Sequence, residues 1–166
     1  MATVVALAVD DYGRIARARE KVGGDVGEPY LSLAVLDEVE IAAIEYCCAA
    51  VAARTLAMKT RVSGIATFQG ESPVIYASVV FTEELRTLHA CVHEALGKHT
   101  SRKNYHPGEW VPHITLCVAQ GARGAVEAFS QLLPCSLRGE YTSSALLLVS
   151  LSPPEIQRRY QFPEHV

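Results

Sequence analysis

The sequence lacks the features that mark several classes of protein. No apolar run among its 166 residues is long enough to span a bilayer. The first apolar run is not preceded by basic residues and stops at Asp10, so a signal peptide is not expected. Positive charge is not in excess either, since the net charge is −3, which argues against electrostatic capture of duplex DNA. The five cysteines include no Cys-x-x-Cys pair, so free thiols in a reducing compartment are expected. We therefore predict a cytoplasmic monomer that binds neither a membrane nor duplex DNA.

What the sequence has is the composition of a globular protein. Apolar residues make up 49% of the chain and charged residues 20%, which suits a single domain over residues 1–166. Strand-like and helix-like hydrophobic patterns follow each other along the chain, which predicts an α+β fold. The predicted strands are 3–9, 30–35, 61–68, 74–81, 113–119, 136–141 and 145–151, with an edge strand at 159–162, and the predicted helices are 11–22, 38–58, 82–96 and 121–133.

Two of the predicted helices have capping signals. Asp37 with Glu40 three residues later is typical of a capping box at the start of helix 38–58. Thr82 is the predicted N-cap of the next helix, which we expect to end at Gly97.

The order of predicted elements repeats. Residues 30–81 and 112–151 each read as a β-α-β-β unit, and each unit opens with a similar pentapeptide, Pro29–Leu33 or Pro112–Leu116. An internal duplication predicts two antiparallel or mixed sheets with helices on the outside. Pseudo-twofold symmetry would then place the two pentapeptides opposite each other in a central cleft.

Each pentapeptide carries two polar side chains that share one face of its strand. Residues two apart in a strand point to the same side, so His113 lies beside Thr115 and Tyr30 beside Ser32. Such polar pairs on apolar strands need partners or solvent, and two facing pairs would line a polar groove.

The sequence Pro112–Leu116, Pro-His-Ile-Thr-Leu, resembles the motif of the 2H phosphoesterase superfamily, which includes 2′-5′ RNA ligase-like proteins and cyclic phosphodiesterases. The resemblance extends over nearly the whole chain. It includes the strand pair between the two motifs, the approach to the second motif and the closing strands, at 64–68 with 74–79, 110–116 and 146–149.

The resemblance implies a mechanism with two histidines across the cleft, one removing a proton and the other donating one, while hydroxyl groups hold the phosphate. It implies no metal and no cofactor. Here His113 and Thr115 match the motif, and Ser32 matches the first motif's threonine in its hydroxyl. Tyr30 stands where the first histidine belongs. The implied substrate is a nucleotide or RNA end with a 2′,3′-cyclic phosphate or a 2′-5′ linkage.

Tyr30 leaves three alternatives open. A phenol with a pKa near 10 is a poor base at neutral pH, and losing one acid–base partner costs roughly 10²–10⁴-fold in rate. The chain is then a weakened phosphodiesterase, a non-catalytic module that binds nucleotides or phosphate, or a structural relic whose cleft is filled by Tyr30.

Other residues are candidates for secondary roles. His106 lies in the loop before the second motif and is a candidate to reach over the cleft. Lys103 is a candidate for meeting phosphates, and Phe68 for stacking on a base, with a solvated surface and a core position as the respective alternatives. His89 and His93 lie four apart on one helix, but a third metal ligand is not obvious, so we predict that they are solvated.

Overall fold

The computed structural model describes residues 2–99 and 101–164. Within these residues the α+β fold predicted from the sequence is confirmed. The strands are β1 (Ala2–Ala8), β2 (Tyr30–Asp37), β3 (Met58–Phe68), β4 (Val74–Val79), β5 (His113–Val118), β6 (Gly139–Ser143), β7 (Ala145–Ser150) and β8 (Glu155–Gln161). The helices are α1 (Gly13–Lys21), α2 (Ile41–Ala52), α3 (Glu83–Leu96) and α4 (Gly121–Leu132), with a 3-10 turn at Lys103–Tyr105.

The strands form two four-stranded antiparallel sheets. The first sheet has the order β2-β1-β7-β8 and the second the order β5-β4-β3-β6. Helices α2 and α3 cover the outer face of the first sheet, and α1 and α4 cover that of the second. We call the opposite face of each sheet its groove face, because the two motif strands meet on that side.

The two predicted repeat units, 30–81 and 112–151, each contribute strands to both sheets. β2 lies in the first sheet while β3 and β4 lie in the second, and β7 returns to the first sheet after β5 and β6. The symmetry is clearest when β1-α1-β2 is compared with β4-α3-β5. In each sheet the last strand of the comparison, β2 or β5, is at the edge, and the first, β1 or β4, lies next to it. The division of the chain at those boundaries stays a prediction.

Strand β1 is buried on both faces, which explains why the first apolar run of the sequence does not alternate with polar residues. Val5 and Leu7 face the helices and join the main core, while Ala6 and Ala8 point to the groove face and join a second apolar cluster. All four side chains are fully buried. A strand buried on both faces reads as a continuous hydrophobic run and not as an alternating one.

The predicted helix 38–58 is wrong at both ends. α2 begins at Ile41 with Glu40 as its N-cap and no side-chain capping bond, and it ends at Ala52. Asp37 cannot form the predicted capping box, because β2 continues through it and its carboxylate pairs with Arg102. β3 in turn starts at Met58, within the predicted helix.

Helix α3 has the ends that its sequence predicts. The Thr82 hydroxyl accepts a hydrogen bond from the backbone N–H of Leu85 at 3.3 Å, and Gly97 follows the helix with a φ of 54°. This left-handed conformation favours glycine. None of the described helices is long and apolar enough to cross a membrane.

The segment 22–29 connects α1 to β2 and touches both halves of the molecule. Glu28 pairs with Arg159 of β8, three strands away from β2, a distance of roughly 14 Å at the usual strand spacing. Arg159 is opposite Leu147, a residue of the groove-face cluster. The segment therefore runs over the groove face of the first sheet.

At its other end the same segment lies directly on the second sheet. A Cβ added to Gly24 would be 2.0 Å from the carbonyl oxygen of Leu116 in β5, whereas one added to Gly27 would meet nothing within 4 Å. Only glycine fits at position 24 without displacing one of the two backbones.

This close approach gives a stability prediction with a matched control. Gly24→Ala should lower the free energy of unfolding by about 1–3 kcal/mol, as expected for overpacking, while Gly27→Ala should change it by less than about 0.5 kcal/mol. Urea unfolding of the two variants measures both effects. Equal stabilities would show that the segment does not rest on β5.

Candidate functional site

The two motif strands lie side by side. β2 and β5 are the edge strands of their sheets and pack against each other. On β2, Tyr30 and Ser32 are opposite Ala8 and Ala6, which are groove-face residues. The structure therefore places this polar pair on the groove face, as the strand periodicity predicts.

On β5, His113 and Thr115 form the second polar pair. They are opposite Ser78 and Tyr76 of β4, while Ile114 between them is fully buried in the main core. The two predicted pairs are thus brought together at the boundary between the sheets.

His113 is held in one orientation. Its side chain is mostly buried, with 9% of the residue exposed, and its Nδ1 lies 2.7 Å from the backbone oxygen of Val111. Since a carbonyl only accepts, Nδ1 is the protonated nitrogen, and the lone pair of the neutral ring is on Nε2. Burial lowers the pKa of His113, and the bond to Val111 offsets this only in part. The neutral form is therefore favoured.

Aromatic rings surround His113 on the second sheet. Phe68 and Tyr76 are stacked with centroids 4.2 Å apart, and the Phe68 ring meets the His113 ring edge-on at 4.9 Å. Phe68 is half-buried and is not part of the main core. These rings give the imidazole apolar neighbours on this side.

Tyr30 lies on the side of the site that is away from these rings. It lines a cavity of about 370 Å³ together with Arg19, Asp25 and Val149. Burial raises the pKa of Tyr30, while the nearby Arg19 guanidinium opposes that shift. The phenol is thus protonated at neutral pH and cannot act as a base there.

Tyr105 is the site residue that the sequence did not reveal. Its ring centroid lies 6.3 Å from that of His113, and its side chain lies near that of Ser32 in the other motif strand. Burial raises the pKa of Tyr105, with Arg102 and the Ser32 hydroxyl acting in the opposite direction. The one signal in the sequence was its position in the loop before the second motif, next to His106.

The loop that carries Tyr105 pairs with the free edge of β2. The indole N–H of Trp110 donates to the carbonyl of Ser32 at 3.1 Å, and the backbone N–H of Arg102 donates to that of Val35 at 2.8 Å. The Ser101 hydroxyl also accepts a hydrogen bond from the Val35 N–H at 3.0 Å. This part of the loop does for β2 what a neighbouring strand would do.

The prediction that His89 and His93 are solvated is wrong. His89 is only 2% exposed, stacks on Trp110 at 4.0 Å between centroids, and its Nε2 lies 2.9 Å from the Tyr105 carbonyl. His93 is partly buried, with its Nε2 3.1 Å from the carbonyl of Leu33 in β2. Both rings face the loop, which the helix periodicity alone could not show because the loop folds onto that side of α3.

The other two candidates lie in the same loop. The Nε2 of His106 is 2.7 Å from the Ser101 carbonyl and its ring is 6.0 Å from that of His93, so it is tied to the loop and to α3. Lys103 is exposed in the 3-10 turn that contains Tyr105. Among the residues that the structure describes, no group of three or more His, Cys, Asp or Glu side chains is placed to hold a metal ion.

The sequence itself was compared with known families. It matches the 2′-5′ RNA ligase superfamily over residues 4–150. The chain belongs to this family. The resemblance to 2H phosphoesterases that the motif at 112–116 indicated is thereby confirmed. No curated protein matches the sequence significantly.

Solved structures share the fold of this 2′-5′ RNA ligase superfamily member. TT0787 of Thermus thermophilus has a TM-score of 0.67 at 20% identity, covering 99% of this chain and 100% of that chain. E. coli LigT complexed with 3′-AMP has a TM-score of 0.66 at 13% identity, with 99% and 100% coverage. Kluyveromyces marxianus Usb1 has a TM-score of 0.52 at 12% identity, with 93% and 95% coverage. At these identities the likeness shows the fold alone.

The buried histidine behind the site gives a prediction for acid stability. Burial, with a smaller contribution from His93, lowers the pKa of His89 to about 4. The unfolded chain, with a pKa near 6.5, binds this proton at higher pH than the folded chain does. The contribution of the neutral His89 ring to the free energy of unfolding is therefore fully present above about pH 6.5. It is lost as the pH falls towards about 4, and the free energy of unfolding then decreases by about 1.4 kcal/mol per pH unit for one proton.

The variant His89→Gln retains an amide donor for the Tyr105 carbonyl but cannot titrate. The free energy of unfolding is measured in urea at a series of pH values from about 4 to about 7. Its slope against pH should be smaller in the variant, by an amount that corresponds to the uptake of up to one proton fewer on unfolding. An identical slope in both proteins would contradict the burial of a neutral His89.

Proposed function

We propose that this protein is a phosphoesterase that opens 2′,3′-cyclic phosphates or cleaves 2′-5′ linkages of nucleotides or RNA ends by acid–base catalysis. The carrying observation is the neutral His113, whose Nε2 is unprotonated because Nδ1 donates to Val111. An imidazole in this state accepts a proton from a nucleophile at neutral pH. As the family resemblance implies, the proposed chemistry does not call for a metal ion.

The remaining polar groups suit a phosphodiester. The hydroxyls of Thr115 and Ser32 come from facing strands and can donate to phosphate oxygens on either side of the phosphorus. In the proposed complex the Phe68 ring stacks on the base, and the charge of Lys103 attracts the anionic substrate. His106 remains a candidate for substrate binding, although its bond to Ser101 favours a structural role.

The solved structures of LigT are consistent with a nucleotide ligand. That protein has been crystallised with 3′-AMP, ATP and NADP+. A nucleotide is thus a reasonable ligand for a chain of the same family and fold, and the proposed substrates are of this class.

Tyr30 makes this a slower enzyme than one with two motif histidines would be. Its protonated phenol hydrogen-bonds to a phosphate or donates a proton weakly, but it does not exchange the roles of acid and base as an imidazole does. Restoring the histidine should therefore raise the rate.

The proposal predicts a specific order of activities. Wild type should turn over at least one member of a panel of 2′,3′-cyclic nucleotides and 2′-5′ dinucleotides. His113→Ala should lose roughly 10²–10⁴-fold in kcat, and Tyr30→His should be faster than wild type. Product formation is followed by chromatography, with the melting temperature of each variant as the control for folding. Activity that is unchanged in His113→Ala would overturn the proposed role of this histidine.

The raised pKa of Tyr30 also supports a second candidate function, a non-catalytic module that binds nucleotides or phosphate on the same fold. Calorimetry with the panel distinguishes the two. Affinity that falls in Thr115→Val, without product formation by wild type, would favour binding alone, while product formation by wild type would rule that module out.

A further inference from the structure

We propose that Tyr105 is the proton donor opposite His113, in the role that the first motif leaves vacant. This inference rests on the proposed function, since it names a second catalytic residue for the same reaction. The residue lies 75 positions after Tyr30, outside both motif pentapeptides, so motif matching does not find it.

The position of Tyr105 carries the proposal. The 3-10 turn that carries it contacts β2, its side chain lies near that of Ser32 in the first motif, and its ring centroid is 6.3 Å from that of His113 in the second. A substrate bound beside His113 would therefore lie next to Tyr105. Tyr105 is also half-buried and not sealed in the core, so a substrate can reach it.

Tyr30 is less suited to this role. It faces Arg19 and Asp25 and lines the cavity that ends at Val149 and Ile156, over the first sheet. These charged neighbours belong to α1 and the segment 22–29, and not to the surroundings of His113. Tyr30 thus bounds the site on the far side, whereas Tyr105 lies between the two motifs.

The backbone of Tyr105 is fixed from both directions. His89 Nε2 bonds its carbonyl at 2.9 Å, and its own N–H donates to the Arg102 carbonyl at 2.9 Å. Arg102 is itself anchored to β2 by two bonds to the Asp37 carboxylate, at 2.6 and 2.9 Å. A side chain carried by so constrained a turn meets the requirement that catalytic groups be held in position.

The charges around the Tyr105 phenol keep it in the form that an acid needs. Burial is the largest effect and raises its pKa, while the Arg102 cation acts against the shift. The other titratable groups near it are Tyr30, His113 and, on the side of its backbone carbonyl, His89 and His93. Burial lowers the pKa of all three histidines, so cationic imidazolium near the phenol is disfavoured. The phenol therefore retains its proton throughout the neutral range.

The proposed step balances without a co-reactant other than water. For a cyclic phosphate, Nε2 of His113 takes a proton from water as the water oxygen forms a bond to phosphorus. The bond between phosphorus and a ribose oxygen breaks, its electron pair goes to that oxygen, and the Tyr105 O–H donates the proton that it needs. The imidazolium and phenolate then return to their starting states by proton transfer through solvent.

The test compares two matched variants, Tyr105→Phe and Tyr46→Phe, each of which removes one oxygen atom; Tyr46 is an exposed tyrosine of α2, outside the site. Tyr105→Phe should lose about 10²–10⁴-fold in kcat with KM changed by no more than a few-fold, while Tyr46→Phe should stay within about two-fold of wild type. The wild-type rate should fall at alkaline pH as the phenol ionises, and this fall should be absent in Tyr105→Phe. Melting temperatures confirm that both variants are folded.

A substrate with a different leaving group separates proton donation from positioning. A 2′-5′ dinucleotide with sulfur in place of the bridging 5′ oxygen leaves as a thiolate, which needs no proton. On this substrate Tyr105→Phe should recover to within about ten-fold of wild type, while His113→Ala should stay slow. A defect of equal size on both substrates would overturn the role of Tyr105 as donor.

The outcomes also separate this inference from the proposed function. Full activity in Tyr105→Phe would overturn the inference and leave the phosphoesterase in place. An absence of turnover by wild type on every substrate would overturn both.

Discussion

Strand β2 ends its sheet, so the backbone groups along its outer edge have no strand to pair with. Buried amide and carbonyl groups without partners are costly, by about 1–3 kcal/mol each, and an open edge also invites association with other chains. In this protein Trp110, His93, Arg102 and Ser101 supply the missing partners from α3 and the loop after it. Satisfying that edge fixes the loop, and the end of the loop leads directly into the second motif strand, β5.

Burial explains why the imidazoles and phenols of the site are neutral. The rings of His113 and His89 are held by carbonyl acceptors and are neutral, and the phenols of Tyr30 and Tyr105 retain their protons. Burial is the dominant cause of all four pKa shifts. The groove therefore presents neutral donors and one lone pair to a ligand. This arrangement suits a phosphodiester, whose single charge is spread over two oxygens and is better met by directed hydrogen bonds than by a fixed cation.

Local patterns predicted the parts of the site that depend on local geometry. The shared face of His113 and Thr115 follows from strand alternation, and the start of α3 at Thr82 follows from capping chemistry. What could not be predicted depends on partners far along the chain. Asp37 reads as a helix cap until Arg102, 65 residues later, takes its carboxylate. His89 reads as solvated until Trp110 stacks on it, and Tyr105 gains a role only when its loop lies along β2.

The exchange of strands between the sheets has a consequence for how the protein folds. A ribosome that has released β1 to β4 has produced two half-sheets, because β7 and β8 complete the first and β5 and β6 complete the second. Neither half can close early as a separate unit, and most strand pairings wait for the end of synthesis. Such long-range pairing is expected to make folding slow. It also means that a nascent chain cannot display the finished groove before its C-terminal strands have been added.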